Sequence, residues 1–163
     1  MLIYRYRVLS LQIGMNGRQH KPRRGWEPPM TRGRSMIRCV RLWTGSDNNS
    51  HFEEGMIALD QGVRGDVLTG KMPVTTVSFQ ETASGGSFAW HDAPTRQLVI
   101  TLSGTLDFET RSGQHFVLHP GAILLAEDTC GGGHKWKLID DQPWRRVYVV
   151  LAQGAAVPFQ PKA

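Results

Sequence analysis

Trp90-His91-Asp92-Ala93-Pro94-Thr95-Arg96-Gln97 opens the stretch that decides the fold, and Gly131-Gly132-Gly133-His134 closes it. Between them run alternating, strand-like segments separated by glycine turns. His91 and His134 lie more than forty residues apart, and they meet only if those strands fold back on one another. A small all-β barrel provides that return.

The first strand of the stretch, residues 97–102, ends at Ser103-Gly104 and is placed to pair with residues 106–110. Alternate side chains face opposite ways, so Gln97, Val99 and Thr101 share one face and Leu98, Ile100 and Leu102 the other. Both faces are largely apolar, which predicts a strand lying deep between a lumen and a second layer. Gln97 heads the lumen row as a buried amide that needs partners. Downstream, residues 115–118, 122–126, 134–139 and 145–151 read as strands, and the tail from Gly154 reads as loop. Upstream, strands are predicted over 37–43, 52–59, 74–79 and 88–91. A polar turn (45–50), a glycine-rich connection (61–70) and Ser84-Gly85-Gly86 separate them. Roughly ten short strands at this spacing predict a sandwich or closed barrel, and no strand–helix alternation points to a parallel sheet.

A chain of 163 residues with 40% hydrophobic content is long enough for one well-cored domain. No apolar run approaches the roughly 20 residues of a membrane-spanning helix, and no membrane partner is expected. The net charge of +5 is unevenly placed. Residues 1–35 hold eight Lys/Arg and one acid, a net of +7; the rest holds eleven basic and thirteen acidic residues, a net of −2. The barrel is therefore mildly acidic, and no nucleic-acid partner is expected for it. Cys39 and Cys130 form no CxxC pair and read as free thiols in a reducing cytoplasm.

The expected organisation is a basic, flexible extension over 1–35, a barrel over 36–153 and a tail over 154–163. For the extension three readings stay open: an arginine-rich organelle leader, a basic tail touching nucleic acid or anionic lipid, or a dispensable segment ahead of a working start at Met36.

At this point the chain resembles the cupin superfamily, over roughly residues 74–151. The first cupin motif is usually His-x-His, three or four residues, Glu, six residues, Gly; its spacing is met here by His91, Ala93, Gln97 and Gly104. The second motif carries a Gly, a Pro-rich turn and a His, matched by Gly113, Pro120-Gly121 and His134. The resemblance implies an all-β, single-domain jelly-roll (double-stranded β-helix) barrel. It also implies a homodimer paired through an outer sheet, and a lumen pocket. Metal-binding members hold one divalent ion on the motif histidines and glutamate. Ala93 and Gln97 replace two of those ligands, leaving His91, Gln97 and His134 as a degenerate set for iron, manganese, nickel or zinc.

The candidate pocket residues are His91, Arg96, Gln97, His134, Trp136 and Tyr148. His91 follows an aromatic residue at a strand end. His134 follows three glycines, which permit close backbone approach or a mobile lid. Arg96 offers a planar fork for an anion. Glu127 and Asp128 offer an acid or base, or structural pins for the loop. Trp136 and Tyr148 are placed to line a cavity. GxGxxG, P-loop, GxSxG and HExxH motifs are absent, and Cys130 lacks the signature of an activated nucleophile. The leading expectation is a lumen that binds a small polar molecule. The alternatives are a metal-dependent dioxygenase or isomerase that completes its coordination with water or substrate oxygens, and a non-catalytic regulatory or dimerisation module.

Overall fold

The computed structural model describes residues 36–62 and 64–163, so the expectations for 1–35 lie outside the described residues. Among the described residues there are strands and turns and no helix. The strands are β1 Met36–Thr44, β2 Ser50–Ala58, β3 Asp60–Gln61, β4 Val67–Leu68, β5 Val74–Thr82, β6 Ser87–His91 and β7 Gln97–Ser103. They continue with β8 Leu106–Thr110, β9 His115–Leu118, β10 Ile123–Glu127, β11 His134–Leu138, β12 Trp144–Leu151 and β13 Phe159–Pro161. Period-two alternation drives them. In β8, Leu106, Phe108 and Thr110 are buried while Asp107 and Glu109 face outward. There the two acids meet His115, Lys135 and Lys137 across the neighbouring strands.

A seven-stranded sheet runs β13-β2-β1-β10-β7-β12-β5, and a four-stranded sheet runs β6-β11-β8-β9. The sheets pack face to face. Val40, Leu42, Val99, Leu124 and Trp144 from the first interlock with Leu106, Phe108, Phe116 and Trp136 from the second. A second apolar cluster lies on the far side of the larger sheet, where Cys39, Leu98 and Leu125 pack under Ala155, Val157 and Phe159.

Three expectations are corrected. No strand pair joins the two larger sheets among the described residues, so the architecture is a two-sheet sandwich with open edges at β5 and β6 rather than one closed barrel. Residues 97–102 and 106–110 do not pair with each other: β7 pairs with β10 and β12, and β8 with β9 and β11. Between them the chain crosses from one sheet to the other at Gly104. There φ is +82°, and a Cβ would lie 3.0 Å from both Trp144 Cα and Leu138, which favours glycine. The tail is not loose either. β13 pairs with β2 in the register Phe159↔Ile57, and the Phe159 ring takes the space that a side chain at Gly55 would fill.

Truncation after Gly154 uncovers the outer cluster, and chemical denaturation is expected to show a loss of about 2 kcal/mol or more. Burial pushes the Cys39 thiol up to about 12, whereas Cys130 is exposed. A thiol reagent at neutral pH is therefore expected to label Cys130 alone in the native protein and both cysteines after unfolding.

Candidate functional site

Side chains do not fill the whole space between the sheets. A cavity of about 450 Å³ remains, bounded by His91, His134 and Trp136 from the smaller sheet and Gln97, Arg146 and Tyr148 from the larger.

The two histidines meet as their place in the chain demands. His91 ends β6, His134 begins β11, and they stand opposite each other in antiparallel register with ring centroids 4.4 Å apart. Of the two roles open to the glycine run, close approach is the one realised. Gly133 has φ +67°, and a Cβ there would overlap the His91 carbonyl. Gly132 donates its N–H to the Asn48 carbonyl at 2.9 Å and accepts from Arg111 Nε at 2.8 Å, so the loop is pinned.

Both rings have a defined tautomer. His91 Nδ1 donates to the Ala89 carbonyl at 2.7 Å. His134 Nδ1 donates at 2.7 Å to Asp128 Oδ2, which also accepts the Ser50 hydroxyl at 2.7 Å. A carbonyl or carboxylate partner requires the proton on Nδ1, so in the neutral ring the lone pair is on Nε2. Asp128 is fully buried, and its Oδ1 has no hydrogen-bond partner. Asp128 does not line the cavity; it ties its loop to Ser50 and holds the His134 ring in place. Burial pushes His91 below its ordinary 6.5, and the neighbouring His134 adds to the effect.

Gln97 and Ala93 line the cavity in the positions the spacing predicts. Gln97 is 5% exposed, and its side-chain amide makes no hydrogen bond to protein among the described residues. Ala93 contributes only a methyl group to the cavity. The donor set is therefore two neutral imidazoles and one neutral amide with no anionic member, which does not fit a resident iron, manganese or zinc ion.

Arg96 is placed outside the cavity. Its Nε donates to Glu127 Oε1 at 2.7 Å and its Nη1 to the Ala155 carbonyl at 2.7 Å, tying the tail to the sheet. Glu127 also accepts from Arg41 Nε at 2.6 Å. Burial alone would raise the Glu127 carboxyl, but the two arginines hold it below the usual range. Its role is structural.

The cavity's arginine is Arg146, which the sequence reading passed over. It shares the inner row of β12 with Trp144 and Tyr148 and is 7% exposed. Its guanidinium lies 3.9 Å over the Trp144 ring and bonds only neutral groups: Tyr148 Oη, Thr82 Oγ1, the Trp144 carbonyl and Gln80 Oε1. The available signal was the period-two row through Trp144 and Tyr148, which puts Arg146 between them on the same face. Trp136 and Tyr148 both line the cavity, and Trp136 packs edge-on against Trp144 at 4.7 Å.

Asp128→Ala strands the Ser50 hydroxyl and the His134 Nδ1–H inside the fold, and a denaturation midpoint corresponding to a loss of about 2–4 kcal/mol is expected. The pH dependence has a definite sign. His91 is depressed in the folded state, so its contribution is flat above 6.5. As pH falls below 6.5, the unfolded chain takes up a proton that the folded site resists, and stability declines. His91→Gln is expected to flatten that decline, read as melting temperature from about pH 7 to 5.

No family model matches the chain, and no curated protein matches it.

Proposed function

We propose that the chain is a cupin-like jelly roll whose lumen binds a small polar molecule without a resident metal. The observation that carries this reading is the 450 Å³ cavity, in which His91, Gln97, His134, Arg146 and Tyr148 converge among aromatic walls. A largely apolar hollow of roughly 300–1,000 Å³ with a few placed polar groups is the usual form of a small-molecule site. The Gln97 amide supports it further, because a buried polar group with no protein partner implies one from elsewhere. The jelly-roll assignment draws support from the way the residues at the two motif spacings, His91, Ala93, Gln97 and His134, line one cavity.

A homodimer is part of this proposal. The outer face of the larger sheet leaves Val77 and Phe79 exposed at 53% and 74% on the edge strand β5, and Leu102 at 53% two strands further in on β7. Such an edge invites pairing with a second chain. Light scattering is expected to give twice the monomer mass for the native protein and the monomer mass for Phe79→Ser; a monomeric native protein removes the dimer from the proposal.

Thermal-shift screening is expected to find ligands that stabilise chelator-treated protein, by about 2.7 kcal/mol at a hundredfold excess over Kd. Gln97→Leu is expected to lower ligand affinity while raising stability by about 1 kcal/mol, because it removes an unpaired buried amide. Elemental analysis tests the metal-free part. Near-stoichiometric metal that His91→Ala and His134→Ala both lose favours the metal-dependent enzyme instead.

A further inference from the structure

We infer that the ligand is an organic acid, seated with its anionic end against Arg146, Tyr148 and Gln80 and with a hydrogen-bond donor turned to the Nε2 atoms of His91 and His134. The inference rests on the reading of the cavity as a small-molecule site and names the class of molecule.

The argument starts from an unbalanced charge. A nearly fully buried arginine is ordinarily paired with an acid. Arg146 has no acidic partner among the described residues. Of its five N–H donors, Nε–H goes to Tyr148 Oη at 3.0 Å. The two on Nη1 go to Thr82 Oγ1 at 2.9 Å and the Trp144 carbonyl at 3.3 Å. One on Nη2 goes to Gln80 Oε1 at 3.0 Å. The remaining Nη2–H has no protein acceptor among the described residues.

The partners pass the polarity on. Tyr148 and Gln80 use their oxygens to accept from the arginine, so each keeps its own hydrogens to donate. Both line the cavity, and neither has a protein acceptor for those hydrogens among the described residues. Ser78, opposite Tyr148 in register, adds a hydroxyl to the same wall. This wall therefore offers several donors, one formal positive charge and no carboxylate, the arrangement an oxyanion takes.

The facing wall has the opposite polarity. The Nδ1 atoms of His91 and His134 are committed to Ala89 and Asp128, and their Nε2 atoms can only accept while the rings are neutral. An anion placed there would meet lone pairs, whereas a hydroxyl would be held. Between the walls, Val99, Phe108 and Leu124 suit an apolar body, and the Gln97 amide can both donate and accept. The two ends thus fix the ligand's direction as well as its class.

Calorimetric titration of the full chain with matched pairs tests this. 4-Hydroxybenzoate beside 4-hydroxybenzamide is an aromatic pair, and 3-hydroxybutyrate beside its amide an aliphatic one. The acids are expected to bind at least about tenfold more tightly than their amides. Arg146→Gln is expected to erase that preference. Tyr148→Phe removes a donor from the same wall together with the acceptor of Arg146 Nε–H, and is expected to weaken the acids about tenfold and the amides less. Amides that bind as well as acids overturn the inference and leave the small-molecule reading standing. Inorganic phosphate that binds as tightly as the acids overturns the organic part. Silence from every probe, with no stabilising compound in a broad thermal-shift screen, overturns the inference and the underlying reading together.

Discussion

The packing of Phe108, Trp136 and Trp144 across the gap between the two sheets is the constraint on which the rest depends. Trp136 and Trp144 meet edge-on at 4.7 Å, one from each sheet, and Phe108 approaches Trp144 in the same manner at 6.4 Å. These large rings hold the sheets together and, where they stop, wall the space between them. The cavity is that remaining space. Trp144 also supplies the surface on which the Arg146 guanidinium lies, so the core and the candidate site share a residue.

Polar groups have been placed inside this interior in two separate ways. Asp128 gathers three segments: its side chain holds Ser50 and His134, and its carbonyl accepts the Ala93 N–H at 2.9 Å. It does not line the cavity, and it acts there only by orienting the His134 imidazole. Arg146 works the other way. Its neighbours are all neutral and all accept from it, so its charge stays uncompensated within the wall and is offered to the cavity. Buried charge of either sign costs free energy unless it is met by a partner. The carboxylate has most of its partners in the fold, while the guanidinium has none of opposite charge.

Glycine is used for closeness more than for motion. At Gly104 it lets the chain cross between sheets against Trp144, and at Gly133 it lets β11 begin against the His91 carbonyl. Both positions have positive φ. The second contact brings the two histidines together, since any side chain at Gly133 would push the strands apart at that end of the pair.

Alternation and turn residues were enough to place most strands and to predict an all-β chain. That His91, Gln97 and His134 share one cavity was implied by the resemblance of their spacing to the cupin motifs. Those features are local, because period two and turn chemistry depend on near neighbours. Pairing partners are not local. Residues 97–102 and 106–110 look like a hairpin in sequence, yet they lie in different sheets, because burying both faces of β7 takes precedence over pairing with its nearest neighbour in the chain. The choice between Arg96 and Arg146 as the cavity's arginine was also beyond sequence. Arg96 sits beside a motif but finds Glu127 and the tail, and Arg146 sits on the inner row of a strand and finds no acid among the described residues. Which charge is neutralised and which is left facing the cavity depends on what the fold brings next to it, and only the tertiary structure decides that.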